Sequence, residues 1–423
     1  MSAVANLLGA LPRYGALQRS QHWPPETLHA YTQARLRRTL EAAATIPFYA
    51  ARFREPPGPH DLGRLPLLER ADVAALEQSV RALHPASAAF QSDRSSGSSG
   101  MPVRFLFDRT HQWGRFAGRA RYLRANGWSP FARSAWVISL PQDCPDADLV
   151  RSPTFPGARF LSHVTEFGEQ LRWLRTLAPV HLYTLPSNLD ALLLLLEERG
   201  DTLPSLRGVF TGGEVLDDAL RARAKRVLGL PVADNYGSTE AFLAWQCPAG
   251  SYHVNAEHVL LEIVDAAGRP AAPGEMGRVL VTTLENFLMP LVRYAIGDYA
   301  TADPTPCACG RTLPRIGRVV GRGINLFRMP DGRLRSPWNL VKPLKLSPHI
   351  RQFQIVQRTV ERYVVRYVAP RALTDHEATA VRAEFQEILG YPAGVDFERV
   401  DEIPRAPSGK FMTALSDVGG TRA

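Results

Sequence analysis

Lysine is scarce in this chain. Of its 50 basic side chains only four are lysines, at 225, 342, 345 and 410, and the other 46 are arginines. They are scattered, with no dense basic run and no basic stripe interleaved with aromatics, so a duplex-binding face is not expected. The net charge of +9 then reads as a diffuse field that draws in anionic small molecules rather than nucleic acid. Long hydrophobic runs are missing too. The greasiest, "LLLLL" at 192–196, sits in a short helix-like segment closed by Glu197 and Glu198, far too short to span a bilayer. The start, "MSAVANLLGALPRYGAL", lacks the basic opening and apolar stretch of a secretory leader. No internal repeat is evident. The expectation is a soluble cytoplasmic protein with no membrane partner. Its 423 residues and 45% hydrophobic content suit two or three ordinary globular domains.

From residue 103 the pattern alternates strand and helix. Strand-like "VRFLF" precedes a helical stretch over 109–125. Then come "SAWVISL", a helix over 168–177, "VHLY", a helix over 187–199, "RGVFT", a helix over 216–228 and "PVADNY". Alternation of this kind predicts an α/β fold with mostly parallel sheets and helices on both faces. After 250 the texture turns to β, with "VLLEIVD" and "GRVLVTTL". The last hundred residues read strand–strand–helix–strand, a small α+β C-terminal domain. The expected boundary falls at Arg322, giving a large domain over 1–322 and a small one over 323–423.

Three glycine loops stand out. "SDRSSGSSGMP" carries Ser95, Ser96, Gly97, Ser98, Ser99 and Gly100. "FTGGE" carries Gly213 and Glu214. "NYGSTE" carries Asn235, Tyr236, Gly237, Ser238, Thr239 and Glu240. The first is a flexible linker or a phosphate cradle, since glycine lets backbone N–H groups face an anion and serine adds hydroxyl donors. It is no Walker loop, because no GK[ST] follows. The other two come directly after strands, where open α/β sheets bind their ligands. Together the three loops offer a phosphate cradle, an aromatic face at Tyr236 and a carboxylate, Glu240, able to hold Mg²⁺. "RYAIGDYA" places Asp298 in a loop after a strand, as a ribose acceptor or a turn cap. "PRAPSGKF" places Lys410 in a Pro/Gly loop, the one lysine in the last seventy residues, where an ammonium can reach a charged transition state.

The order of these motifs, "SSGSSGMP", "FTGGE", "NYGSTE", "YAIGD", "RIGRVVGR" and "PSGK", resembles that of the adenylate-forming superfamily of acyl- and aryl-CoA ligases. The opening "RRTLEAAATIPFYAARF…LGRLPLLERADV" is similar to the phenylacetate–CoA ligase branch. The resemblance runs from about residue 30 to about 412. It implies ATP- and Mg²⁺-dependent formation of an acyl-adenylate from a carboxylic acid, aromatic in this branch, with transfer to a thiol such as coenzyme A. It implies that Ser95 to Gly100 hold phosphates, Gly213 and Glu214 flank the adenine and Tyr236 stacks on it within the Asn235–Thr239 loop. Glu240 would bind Mg²⁺, Asp298 the ribose, Arg322 the nucleotide near a hinge, and Lys410 would bridge carboxylate and α-phosphate from a mobile lid domain. Two positions depart from the superfamily pattern. Met101 stands where a lysine is usual, and Ile324–Asn325 where paired acidic residues usually form the hinge. An amine, a carrier-protein thiol or another acceptor is therefore the alternative to coenzyme A, in a specialised biosynthetic pathway, and a homodimer is compatible with the sequence. Tyr183, Phe210, Phe242 and Trp245 fall near the expected crevice and offer an aromatic pocket, or simply pack the core.

Cysteine is sparse, four in all, yet three of them fall into a metal-ligand pattern. Cys247 and His253 form C-x5-H, and Cys307 and Cys309 form C-x-C before Gly310. Three thiolates and an imidazole suit tetrahedral Zn²⁺, and with no spare ligand position the site would be structural. His258 in "HVNAEH" is a substitute ligand. Cys144 is left over as a small apolar residue.

Overall fold

The computed structural model describes residues 3–53, 55–84, 91–94, 103–138, 156–322, 326–335, 337, 340, 341, 343, 344, 347, 349–404 and 411–418. Ser95 to Gly100, Met101, Cys144, Ile324, Asn325 and Lys410 lie outside them.

The chain opens with helices α1 (Ala3–Ser20), α2 (Pro25–Ala44), α3 (Pro47–Ala50) and α4 (Val73–Leu83). In α2, Leu28, Leu36, Leu40 and Ala43 are buried at helical spacing, and Pro25 sits in the first turn, where its missing N–H costs nothing. A short antiparallel pair follows, β1 (Gln91–Arg94) and β2 (Arg104–Phe107), with Arg94 opposite Arg104. Next come α5 (Arg109–Ala125), β3 (Ser134–Ile138), β4 (Ala158–Ser162), α6 (Phe167–Leu177), β5 (His181–Thr184), α7 (Pro186–Arg199), β6 (Gly208–Gly212), α8 (Asp218–Leu228) and β7 (Val232–Gly237). The β-rich part holds β8 (Phe242–Gln246), β9 (Tyr252–Val254), β10 (Val259–Val264), β11 (Met276–Thr283), β12 (Tyr294–Ala302) and β13 (Arg315–Arg322).

One sheet takes in eleven of these strands, in the order β10-β11-β12-β13-β9-β8-β7-β6-β5-β3-β4. The parallel part and the β-rich part expected from the sequence are the two halves of it. β4, β3, β5, β6 and β7 are parallel, because a helix returns the chain between most of them. From β7 onward the pairs joined by short connections are antiparallel, β7 with β8, β8 with β9, β10 with β11 and β11 with β12. Short hairpins reverse direction where a helical crossover would preserve it, so the sheet is mixed. An apolar core containing Leu40, Tyr49, Leu76, Phe105, Leu243, Val281 and Tyr294 packs under the antiparallel half.

Two compact units are distinguished among the described residues. The larger runs to Val319, apart from Asp217–Arg223. The smaller takes Asp217–Arg223 and the residues from Val320 on. In the smaller unit β14 (Phe327–Arg328) pairs with β15 (Leu334–Arg335). β16 (Gln352–Thr359), β17 (Arg362–Val368), β18 (Gly394–Arg399) and β19 (Ala414–Ser416) form a four-stranded sheet in the order β18-β17-β16-β19. Helix α9 (Asp375–Leu389) packs Val381, Phe385 and Leu389 into that unit's own core. Its start is closed by a Thr374–Glu377 capping box. No described helix is long and apolar enough to cross a membrane.

Candidate functional site

β5, β6 and β7 run in parallel register, with Thr184 beside Thr211 and Gly212 beside Asn235. The segments that leave these strands therefore emerge along one edge of the sheet, and they are Pro186–Ser187, Gly213–Glu214 and Ser238–Glu240. Gly213 has φ +84°, a left-handed conformation open to glycine at no steric cost. It turns the chain so that Glu214 meets the start of α7. There Glu214 Oε2 accepts from the Ser187 N–H at 2.8 Å, one of the first-turn donors that lack a partner within the helix. Its Oε1 is buried with no hydrogen-bond partner among the described residues.

Asn235 is buried, and its amide is engaged by the protein. It donates to the Thr211 carbonyl at 2.6 Å and to the Tyr183 hydroxyl at 2.9 Å. Beneath it Asp234 accepts from Thr211 Oγ1 at 2.6 Å and from the Tyr252 hydroxyl. Tyr236 donates its hydroxyl to Asp298 Oδ2 at 2.8 Å, and both residues are buried. Asp298 is not in a loop, as the sequence suggested, but inside β12. The preceding Gly297, at φ +85°, looks like loop punctuation in sequence and is instead an irregularity within the strand, where the β11–β12 register also shifts.

β7 and β8 are joined by a tight turn. Ser238 N–H donates to the Ala241 carbonyl at 2.9 Å, and Gly237 pairs with Phe242. The turn carries Thr239 and Glu240. Glu240 is only 3% exposed, yet among the described residues its carboxylate has no hydrogen bond or ion pair; its one polar contact is at its backbone carbonyl. A buried carboxylate without a partner is costly, and a divalent cation is the natural counter-charge for it. The residue fits an oxygen-seeking cation such as Mg²⁺. Arg322 is the last residue of β13 and is half-buried.

The aromatic candidates divide. Phe210 and Trp245 are 1% and 0% exposed and belong to a core with Tyr122, Trp128 and Trp136. Phe242, 5% exposed, belongs to the same core. Phe210 meets Tyr122 edge-on at 5.9 Å, and Trp245 has the guanidinium groups of Arg121 and Arg311 5.6 and 5.2 Å from its ring. Tyr183 is half-buried and stacks on Trp136 at 4.5 Å, while Phe242 closely follows the Glu240 turn.

Away from this edge, Cys247, His253, Cys307 and Cys309 come together, with one ligand atom from each within 4.8 Å of the others. Cys247 Sγ lies 3.7 Å from Cys307 Sγ, and Cys309 Sγ lies 3.3 Å from His253 Nε2. His253 Nδ1 faces the Leu313 carbonyl at 3.3 Å, so that nitrogen carries the proton and Nε2 is left as a donor atom toward the thiols, the usual arrangement of a metal-binding histidine. Burial and the nearby arginines hold His253 neutral, its pKa lowered to about 4, while burial pushes the Cys247 thiol up to about 11. Burial also pushes the Cys307 thiol up, but hydrogen bonds from Ser251 and the Cys309 backbone outweigh it and bring the group down to about 7. Three sulfurs and one nitrogen at this spacing fit tetrahedral Zn²⁺. His258 is not in the set; it pairs with Glu285 at 2.6 Å.

Sequence reasoning passed over the inner face of α5. His111, Gly114, Gly118 and Arg121 recur there at helical spacing and are all buried. His111 Nε2 lies 2.9 Å from the Glu240 carbonyl. Arg121 makes an ion pair with Glu257 at 2.7 Å and also bonds Asn255 at 2.6 Å. Burial pushes the Glu257 carboxyl up, but Arg121 holds it below the ordinary range. The signal was faint, because polar residues on one helix face read as a solvated face.

Comparison with known proteins finds similarity in sequence and in fold. The family described as AMP-binding enzyme matches residues 155–289, and the CapK C-terminal domain matches residues 329–417. Phenylacetate-coenzyme A ligase of Thermus thermophilus is 33% identical over 138 residues, 29% of this chain and 31% of that relative. The enzyme of the same description from Escherichia coli is 28% identical over 360 residues, 77% of this chain and 78% of the relative. The aligned part thus spans about a third of the first relative and over three quarters of the second. In fold, the chain is similar to 2-hydroxyisobutyryl-CoA ligase in its postadenylation state, with a TM-score of 0.77 at 20% identity over 95% of this chain and 92% of that one. With the order of the glycine loops, these matches support one reading: the chain is similar to adenylate-forming AMP-binding enzymes, and to the phenylacetate–CoA ligases among them.

Proposed function

We propose that this chain activates a carboxylic acid, aromatic in character, with ATP and passes the acyl group to coenzyme A. In the first step a carboxylate oxygen attacks the α-phosphorus, the bond to the β-phosphate oxygen breaks and pyrophosphate leaves. In the second the thiol sulfur attacks the acyl carbon, AMP leaves and the thiol proton passes to solvent. The observation that carries this reading is the grouping of Glu214, Tyr236 and Glu240 at one edge of the parallel strands, with Asp298 bonded to Tyr236.

Glu214 Oε1, an acceptor without a partner among the described residues, suits the exocyclic amine of adenine, and Tyr236 offers the base a face. Asp298 suits a ribose diol. When bound at Glu240, Mg²⁺ would offset charge on the phosphates. By resemblance, Ser95 to Gly100 hold the phosphates, Arg322 meets the nucleotide, and Lys410, on a lid formed by residues 323–423, neutralises the charge that builds between carboxylate and α-phosphate. Zinc at Cys247, His253, Cys307 and Cys309 is structural in this reading. Coenzyme A is preferred to an amine or a carrier-protein thiol because the Thermus thermophilus and Escherichia coli relatives are named for it. Use of ATP and coenzyme A suits a cytoplasmic enzyme.

The test is ATP–pyrophosphate exchange across a panel of carboxylic acids, followed by addition of coenzyme A. Acid-dependent exchange that Lys410→Ala lowers by about 10²–10³ in kcat supports the reading. No exchange with any acid, or full exchange by Lys410→Ala, overturns the catalytic assignment. Exchange without thioester formation hands the second step to another acceptor.

A further inference from the structure

Among the described residues the Glu240 carboxylate has no partner, but the backbone of the same residue is held, and the holder is a buried histidine. His111 Nε2 lies 2.9 Å from the Glu240 carbonyl oxygen. A carbonyl only accepts, so Nε2 is the protonated nitrogen. We propose that His111 is a positioning residue for the cation site, aiming the Glu240 carboxylate by fixing the peptide that carries it. The inference rests on the adenylation reading above.

The geometry restrains His111 on every side. Its ring is 3% exposed and stacks on Phe107 with centroids 4.9 Å apart and planes 6° from parallel. Its backbone N–H donates to Asp108 Oδ1 at 2.8 Å, and Asp108 Oδ2 accepts from the Phe287 N–H at 3.0 Å. Asn286 holds the Leu106 and Met289 carbonyls, so the start of α5 is fixed to the loop after β11. One helical turn on, Arg115 Nη1 donates to the Thr239 carbonyl at 3.3 Å. Two donors four residues apart on one helix therefore grip two successive carbonyls of the β7–β8 turn. Between the two donors, Gly114 lets the helix lie against the His258–Glu285 pair. A Cβ there would collide with Glu285 Oε2 and His258 Nδ1.

A leucine at 111 would fill the space without a polar group to desolvate. What the imidazole adds is direction at its tip. In so tight a turn, rotating the Glu240 carbonyl also swings its Cα–Cβ bond, so a loosened carbonyl becomes a misdirected carboxylate. Groups that orient a metal ligand in this way change metal affinity by about 10–100-fold when removed.

The experiment compares full-length wild type, His111→Leu and His111→Gln. Mn²⁺ binding is read by electron paramagnetic resonance in the presence of a non-hydrolysable ATP analogue, and analogue binding without metal is measured separately. His111→Leu is expected to weaken Mn²⁺ binding by about tenfold or more while binding the metal-free analogue as wild type does. His111→Gln, which keeps a donor of similar reach, is expected to recover most of the loss. Should His111→Leu fail to fold, His111→Asn, whose amide is too short for the carbonyl, takes its place. Wild-type Mn²⁺ affinity in His111→Leu, or a His111→Gln as impaired as His111→Leu, overturns the positioning role while leaving the adenylation reading intact. Failure of the wild type itself to bind Mn²⁺ with the analogue overturns the cation assignment, and the inference with it.

Discussion

The Tyr236 hydroxyl donates to Asp298 Oδ2 at 2.8 Å, although their strands, β7 and β12, lie four places apart in the sheet. At about 4.8 Å per strand, four steps of flat sheet would separate them by about 19 Å, more than two side chains can bridge. The sheet must fold over between them, as strongly twisted sheets of many strands tend to. The shared core that includes Tyr236, Leu243, Val259, Val281 and Tyr294 fills the concave side. The proposed base-stacking residue and the proposed ribose acceptor are thus set against each other by one hydrogen bond. Tyr236→Phe keeps the aromatic face and removes the bond. A hydrogen bond to a charged group contributes about 1.5–3 kcal/mol, so the KM for ATP in pyrophosphate exchange is expected to rise about tenfold, with a smaller change in kcat. A KM equal to wild type would mean that Asp298 is oriented by other neighbours.

Glu240 should trade stability against activity. Its buried carboxylate lacks a partner among the described residues, which is unfavourable in the absence of a cation. Glu240→Gln removes the charge and keeps the shape. Its melting temperature in chelator is expected to equal or exceed that of wild type, while pyrophosphate exchange falls by about 10²-fold. A variant that melts well below wild type would show that the carboxylate has a structural partner instead.

How much of this was legible in sequence depends on the kind of signal. The helices over 109–125 and 187–199 and the strands "RGVFT" and "PVADNY" before two of the glycine loops follow from apolar spacing and were found nearly to the residue. β8 and β13 were passed over. "FLAWQ" is apolar almost throughout because all five of its residues are buried, and such a run lacks the alternation that marks a half-exposed strand. Asp298 was misplaced because Gly297 reads as a loop. Cys247, His253, Cys307 and Cys309 were legible because few other residue types make a tetrahedral set. His111 and Arg121 were not. Their meaning depends on partners 129 and 136 residues away, and no local pattern records a contact at that distance.

Acid should destabilise the protein through His111. Burial, with the charge of Arg115 beside it, lowers its pKa to about 3, whereas an unfolded histidine takes up its proton near 6.5. Between about pH 6.5 and 3 the unfolded chain therefore binds one more proton at this residue. Stability falls as pH falls through that window and is independent of this group above it. His111→Gln removes the effect. Urea unfolding at pH 7 and pH 5 is expected to show a smaller loss of stability for His111→Gln than for wild type, by about 1.4 kcal/mol per pH unit well below 6.5. Equal losses in the two proteins would mean that His111 is protonated in the folded state.

The cysteine cluster should be a fastener rather than a reaction centre. It ties the residue after β8, the middle of β9 and the Cys307–Cys309 turn. The turn is closed by a bond from the Gly310 N–H to the Cys307 carbonyl at 3.2 Å, with Gly310 at φ +75°. Among the described residues none of its members bonds to the Glu240 turn, and all four ligand positions come from the protein, which leaves no open position for a reacting oxygen. Purified protein is expected to carry about one zinc per chain. A chelator, or Cys309→Ser, should release it and lower the melting temperature, because the Trp245 ring between Arg121 and Arg311 then borders an unclosed pair of thiols. Assayed well below that lower melting temperature, the same protein should keep its KM for ATP. Elemental analysis and melting curves with and without chelator decide the first part. Metal-free protein that melts as the wild type does rules out the fastener, and a KM that rises with zinc loss at low temperature would move the cluster from scaffold to site.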